Sequence, residues 1–285
     1  MKKLVIILGV LGTSFSAVLV KFSDAPSTIL VFYRMLCCVL LLSTLIALQH
    51  RDELKETKLK NILLCVVSGI FLGVHFTCYF ESLRYTSIAS SVVLVDTEVF
   101  FVALGGVIFL KEKLSPGNWL GIVVTFAGSV VVAMGDRGGG QLLGDLIALA
   151  GAMCSAVYTL IGRRVRRDMS TTVYTWIVYF FAGLVALVSS ACGGFDVVHI
   201  GMKNLLVAFG LAVMCTLLGH SVFSWGLKYE KASFVSTVKL LEPIFASVLG
   251  ILLFREIPSV SSVAGGMTVI CGIILCIRNA AEGKQ

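Results

Sequence analysis

Along this chain, apolar stretches of about twenty residues alternate with short polar segments, and the alternation occurs ten times: roughly 4–22, 28–48, 61–80, 88–110, 117–134, 142–162, 171–192, 203–226, 232–254 and 260–278. At about 1.5 Å rise per residue, a helix of that length crosses a hydrocarbon core of about 30 Å. A helix also satisfies its own backbone hydrogen bonds, which lipid cannot do. The pattern therefore predicts an all-α integral membrane protein with ten transmembrane helices. The longest joining segment runs from Gln49 to Lys60 and is too short to hold a soluble domain.

The apolar pattern also repeats. Leu83 recurs as Leu227, Tyr85 as Tyr229, Glu98 as Glu242, Phe101 as Phe245, Gly106 as Gly250, Glu112 as Glu256, Gly121 as Gly265 and Gly128 as Gly272, each 144 positions later. Gly12, Ser16, Ala17 and Val18 recur as Gly151, Ser155, Ala156 and Val157, so the first span pairs with the sixth. This argues that the first span is retained, although Lys2 and Lys3 before an apolar run imitate a signal peptide. Ten spans divide into two fives, residues 1–137 and 138–285, with the glycines at 138–140 as the joint. An odd number of spans per repeat makes the second copy enter the membrane from the other side, the inverted-repeat arrangement of transporters.

Charge gives the orientation. With the N-terminus in the cytoplasm, the inner loops hold Lys2, Lys3, Arg51, Lys55, Lys58, Lys60, Lys111, Lys113, Arg163, Arg164, Arg166, Arg167, Lys228, Lys231, Arg278 and Lys284. The outer side holds only Lys21, Arg84, Arg137, Lys203 and Arg255. The bias predicts that both termini are cytoplasmic. It also accounts for the net charge of +7 without a nucleic-acid partner. A chain that is 58% hydrophobic and 14% charged points to the lipid bilayer as its main partner, as a multi-pass protein of the inner membrane. The nine cysteines, mostly within spans and with no Cys-x-x-Cys pair, read as small packing residues, so no disulfide framework or zinc site is expected. No phosphate loop, His-Glu-x-x-His or Gly-x-Ser-x-Gly occurs. The chain is expected to need no cofactor and no metal, and not to be an enzyme.

Ionisable side chains inside a bilayer are costly and point to function. Glu98 and Glu242 stand ten residues into spans four and nine, near the midplane, in equivalent positions of the two repeats. Such carboxylates either load and release a proton during a transport cycle or serve as acceptors for a distorted helix, which Pro243 makes plausible. Lys239, at i and i+3 to Glu242, either pairs with it or binds the negative group of a substrate. Arg34 either binds a carboxylate or phosphate or pairs with Asp96 or Glu98. On a continuous helix, Asp96 and Glu98 lie about 200° apart and share no face; Asp96 reads as a structural partner. His75 lies in a polar stripe with Ser68, Tyr79 and Ser82, and His220 in one with Thr216 and Ser224; each either relays protons or packs through a hydrogen bond. Tyr79 and Trp225, with Phe32, Tyr33, Tyr158 and Trp176, are aromatic candidates for substrate contact. Gly121, Gly128, Gly265 and Gly272 give spans five and ten small-residue faces that suit close packing, as peripheral scaffold or as a homodimer surface.

Tyr33-Arg34 opens the second span, and Tyr85 and Tyr229 precede spans four and nine. Leu-Leu-Glu-Pro-Ile-Phe stands at 240–245, Lys-Glu-Lys-Leu at 111–114 and Arg-Glu at 255–256. In repeat register, this set resembles the drug/metabolite transporter superfamily in its ten-helix EamA branch, over nearly the whole chain. The resemblance implies an inverted five-plus-five fold in which helices one to four and six to nine line a central cavity and five and ten stand outside it. It also implies transport of small organic metabolites, often amino acids, without ATP hydrolysis. In sugar-phosphate and nucleotide-sugar relatives a ninth-helix lysine binds anionic substrate, and Lys239 is its counterpart candidate. Thr97-Glu98-Val99 lacks the proline the family often has there, so the fourth helix is expected to be less distorted than the ninth.

The reading is a secondary transporter that moves a small polar metabolite, an amino acid or similar zwitterion, by alternating access, with proton or counter-substrate coupling. The alternatives are an exchanger of anionic or nucleotide-like metabolites and, from another class, a membrane-embedded lipid-modifying enzyme.

Overall fold

The structure, a computed structural model, describes residues 2–110, 116–135, 141–230, 232–239 and 241–282. The motif at 111–114 and the joint at 138–140 lie outside them. The chain is 86% helix, with no strand among the described residues. Among the described residues, seven helices are long and apolar enough to cross a membrane: α1 (Leu4–Lys21), α2 (Ser27–Glu56), α3 (Leu59–Ser82), α4 (Ile88–Phe109), α6 (Gln141–Val165), α7 (Thr171–Cys192) and α8 (Met202–Tyr229). The remaining apolar segments are α5 (Pro116–Gly135), α9 (Ala232–Lys239), α10 (Glu242–Phe254) and α11 (Val260–Glu282).

Punctuation of the helices follows from local chemistry. All four prolines lie at helix entrances: Pro26 before α2, Pro116 opening α5, Pro243 second in α10 and Pro258 just ahead of α11. There the missing N–H is not needed by the helix ladder. Ser87 and Ser170 cap α4 and α7, their hydroxyls accepting from the backbone N–H of Ser90 and Val173 at 3.1 and 3.2 Å. Gly194 and Gly201, at φ +69° and +77°, turn the chain between α7 and α8. The helix α2 continues past the apolar run that predicts it, through a widened turn at Ile46–His50 into the polar segment Arg51–Glu56.

Packing pairs the first half of the chain with the second. The helix α1 lies on α8 and α3 on α6, α2 lies against α7, α4 crosses α9 and α10, and α5 packs along α11. Close approach depends on glycine. A methyl on Gly12 of α1 would stand 2.6 Å from the Met214 carbonyl of α8. The small-residue faces of α5 and α11 are turned toward each other: a methyl on Gly272 would meet the Thr125 nitrogen at 2.5 Å and the Gly121 carbonyl at 2.7 Å.

Gly272→Ala should therefore destabilise the protein by about 1–3 kcal/mol through overpacking. Gly210→Ala, whose added methyl meets only Leu19 at 3.6 Å, should leave stability unchanged or slightly raised. Thermal unfolding of the two variants in detergent checks the contrast; equal loss in both would remove the packing argument.

Candidate functional site

The helix α4 and the pair α9–α10 are both interrupted, at positions 144 residues apart. In α4 the helix that begins at Ile88 ends at Asp96 and a second one starts at Glu98. Thr97 closes the first as a tight turn, its N–H and its hydroxyl both donating to the Leu94 carbonyl, at 3.2 and 2.6 Å. In the second half α9 ends at Lys239 and α10 starts at Glu242, with the Leu241 N–H donating to the Val238 carbonyl at 3.2 Å. Thr97 and Leu241 are 144 positions apart. The fourth helix is thus broken like the ninth, even without a proline, because the Thr97 hydroxyl competes for the carbonyl that a continuing helix would use.

These breaks decide who pairs with whom. Lys239 donates to Glu98 Oε1 at 2.8 Å, joining α9 to α4, and both side chains are buried. It does not pair with Glu242: the i, i+3 relation holds only on a continuous helix, and α9 ends at Lys239 while α10 begins only at Glu242. Glu98 accepts further bonds from Ser155 of α6 and, at 3.4 Å, from Ser236 of α9. Its carboxylate is therefore enclosed by one cation and two hydroxyls, the satisfaction a buried charge requires. Glu242 is half-buried beside Thr13 of α1. The residue equivalent to Lys239 in the first repeat is Val95, so the two repeat-related glutamates differ in their supply of positive charge.

Arg34 is fully buried in α2. Its Nε donates to Thr216 Oγ1 at 2.6 Å, and Thr216 in turn donates to the Leu211 carbonyl at 3.1 Å inside a widened turn of α8, Leu211–His220. The guanidinium lies 3.9 Å above the Phe76 ring and 5.5 Å from that of Phe80. Its Nη1 and Nη2 have no partner, so it pairs with neither Asp96 nor Glu98. Asp96 Oδ2 is likewise buried without a hydrogen-bond partner.

His75 donates from Nδ1 to the Gly151 carbonyl at 3.0 Å, which fixes that nitrogen as the one carrying the proton in the neutral ring. Its ring lies 6.3 Å from that of His220 and 6.4 Å from that of Tyr79. The Tyr79 hydroxyl and His220 Nδ1 are buried without a partner. Trp225 stands apart from this group, against Tyr229 with ring centroids 4.9 Å apart. The structure thus brings together Glu98, Lys239, Arg34, His75, His220 and Tyr79, with Glu242 alongside through Thr13. Ser236 and Phe76 were not singled out in the sequence, whereas Thr216 appeared there as a member of the His220 stripe and Ser155 as the repeat partner of Ser16.

Polar contacts flank this cluster at both ends. At the end near the α6–α7 connection, buried Arg166 donates from Nε to the Ser224 carbonyl at 3.0 Å, from Nη2 to Thr171 Oγ1 at 2.6 Å, and from Nη1 to the Met169 carbonyl. At the other end Lys21 pairs with Glu256, whose second oxygen accepts the Ile88 N–H at 3.2 Å. A cavity of about 280 Å³ lies there, lined by Lys21, Leu30, Phe80, Leu83, Arg84 and Phe254 among others.

Helices that cross a membrane around a buried charged cluster define a multi-pass membrane transporter, and comparison with known proteins agrees. The sequence profile of the EamA-like transporter family matches residues 2–134 and 142–278, and the chain belongs to this family, within the drug/metabolite transporter superfamily. It is 25% identical to the pseudopaline exporter CntI of Pseudomonas aeruginosa over 91% of this chain and 90% of that one. It is 29% identical to the uncharacterized transporter YyaM of Bacillus subtilis over 81% and 78%. Human solute carrier family 35 member G1 is 24% identical over 72% of this chain and 59% of its own. One solved crystal structure superposes on all of this chain and 99% of its own, with a TM-score of 0.68 at 18% identity, which shows a common fold.

Removing one member of the Glu98–Lys239 pair should be worse than removing both. Lys239→Met should cost about 3–5 kcal/mol by stranding a buried carboxylate. Adding Glu98→Gln should restore a substantial part of that loss. A double-mutant cycle on unfolding in detergent checks it; additive losses would show that the two groups act independently.

Proposed function

We propose that this protein is a secondary transporter that carries a small polar metabolite, an amino acid or similar zwitterion, across the plasma membrane by alternating access. The proposal takes its two halves as residues 1–137 and 138–285, ten spans in inverted repeat with both termini cytoplasmic. The observation that carries it is the mixed charge cluster. Arg34, Asp96 and Glu98 come from one half, and Lys239 and Glu242 from the other. Within the cluster one ion pair is closed while polar atoms of Arg34, Tyr79, Asp96 and His220 are left without partners. Buried polar atoms are normally satisfied, and a group of exceptions among helices that must part for transport is what a polar solute would complete.

The pairing of helices across the halves supports a two-fold relation between them. Two closing layers, at Arg166 and at Lys21–Glu256, support gates on either side of the cluster. On the expected orientation the first is cytoplasmic and the second external. Glu242, which has no lysine of its own, is the carboxylate proposed to carry a proton, while Glu98 is held by Lys239. The named exporter among the relatives supports outward movement of a metabolite. An exchanger of anionic metabolites would need Lys239 free for the anion, and its bond to Glu98 weighs against that. A homodimer through the outer faces of α5 and α11 belongs to the same reading. Trp119, Val123 and Phe126 are exposed there.

The test is counterflow and proton-gradient-driven accumulation of radiolabelled amino acids in proteoliposomes. Glu242→Gln should retain exchange and lose gradient-driven accumulation, whereas Glu98→Gln should abolish both. Normal transport by both variants would overturn the carboxylate mechanism.

A further inference from the structure

The cavity of about 280 Å³ at the Lys21–Glu256 end has a chemistry of its own, unlike that of the buried cluster. Its volume falls just below the roughly 300–1,000 Å³ of sites that hold drug-sized ligands, which limits an occupant to one ring or a short branched chain. The space is bounded by the α1–α2 turn, the end of α3 and the end of α10. Leu30, Phe80, Leu83 and Phe254 give it an apolar wall, and the Phe254 ring packs on Phe22 with centroids 5.3 Å apart. The charged residues of the lining are Lys21 and Arg84, and no carboxylate is among the described residues that line it. Glu256 and Glu81, which pair with these cations, stand outside the lining.

Neither cation is used up by its carboxylate. An ammonium has three protons to give, and Lys21 gives one, to Glu256. Arg84 donates from Nη2 to the Ala25 carbonyl at 2.7 Å, which brings it to the α1–α2 turn that also carries Lys21. Its Nε is 3.7 Å from Glu81, beyond hydrogen-bond distance. Glu81 instead accepts from the Ser27 hydroxyl at 2.6 Å. With side chains 46% and 33% exposed, the Arg84–Glu81 pair is of the surface kind that contributes little. The cavity therefore offers spare N–H donors on two cations beside an apolar wall.

That combination discriminates between ligand classes. Phosphate or chloride would meet the cations and leave the apolar wall unused. A neutral hydrocarbon would cover the wall and leave the cations without an acceptor. An amine would add a third positive charge, and a free amino acid carries that same charge beside its carboxylate. A carboxylate on a compact apolar body matches both parts of the lining.

We propose that this cavity is a binding site for small hydrophobic monocarboxylates, the carboxylate held by Lys21 and Arg84 and the apolar body resting on Leu30, Phe80, Leu83 and Phe254. It is a second site, separate from the Glu98–Lys239 cluster, and it takes a different class of ligand from the solute proposed there. The assignment stands whatever that cluster carries.

The experiment is equilibrium dialysis of radiolabelled benzoate and 3-methylbutanoate against the purified full-length protein in detergent, with protein-free micelles as the blank. Benzoate should bind saturably, at a single site per chain. In competition, benzamide should be weaker than benzoate by about 10-fold or more, since it keeps the shape and loses the charge-assisted hydrogen bonds. Benzylamine, which reverses the charge, and acetate, which lacks the apolar body, should compete no better than benzamide, and so should phenylalanine. Arg84→Gln should weaken benzoate by about 10-fold, and Arg84→Glu should abolish its binding. The Arg84 side chain is nearly half exposed, so these variants are expected to fold, and the competition series is read in wild type in any case. Absence of saturable binding of both acids, equal competition by benzamide, or unchanged benzoate binding in Arg84→Gln would each overturn the assignment. Binding lost in Arg34→Gln and kept in Arg84→Gln would place the acid in the buried cluster and overturn it as well.

Discussion

The 2.8 Å contact between Glu98 and Lys239 is the constraint around which the centre of this protein is arranged. Neither charge is tolerable alone in an apolar bundle, and their attraction must be supplemented by hydrogen bonds to make burial acceptable. Ser155 and Ser236 supply these, and with them the pair draws α4, α6 and α9 to one point. The geometry requires both helix breaks. With a continuous fourth helix, Asp96 and Glu98 would point about 200° apart; with a continuous ninth helix, Lys239 would have Glu242 as its nearest carboxylate. The turns at Thr97 and Leu241 release both side chains from those relations.

Equivalent breaks in a repeated chain create two equivalent places, and the sequence then makes them different. Glu98 and Glu242 match, but Lys239 answers to Val95 and Asp96 to Leu240. Arg34 has Val173 or Val178 in the corresponding region of α7, according to which repeat offset is applied. The framework of paired helices is thus two-fold in character, while the charges added to it are single. A two-fold framework is suited to presenting the same centre to either side. Single charges give that centre a direction, because a bound molecule with two different ends meets a different group at each.

Much of this was legible in the sequence because lipid imposes a length and a polarity that leave little freedom. Thr171–Cys192 was delimited to the residue, and the other long helices within a few positions. The exceptions are instructive. The second helix runs on to Glu56 because polar residues outside the apolar run still favour helix, and no packing partner is needed to end the hydrophobic stretch there. The break at Thr97 carried no proline, only a threonine whose hydroxyl competes for the Leu94 carbonyl, a local choice that apolar periodicity does not register. Ionisable residues were found individually because charge is conspicuous in an apolar run. Their partners were less legible: Thr216 showed only as a member of the His220 stripe, and Ser236 and Phe76 are ordinary residues that acquire meaning only when α2, α3, α8 and α9 come together.

The two ends of the cluster are held by different physics, and this bears on how the centre would be exposed. Near the α6–α7 connection, Arg166 spends its donors on two backbone carbonyls and a threonine hydroxyl, all from segments that fold with it or lie on α8. Such bonds depend on backbone shape and respond little to salt. At the other end Lys21 and Glu256 form a partly exposed ion pair, of the kind worth roughly 1 kcal/mol or less and weakened by ionic strength. Glu256 also accepts the Ile88 N–H through its other oxygen, beside the Ser87 cap, so this ion pair and the start of the helix that carries Asp96 and Glu98 share one residue. The cavity lies at this same end, lined in part by Phe80, whose ring is 5.5 Å from the Arg34 guanidinium. On the proposed reading, the weaker latch and the existing cavity coincide, and the first movement from this conformation opens the Lys21–Glu256 side while the Arg166 side stays shut.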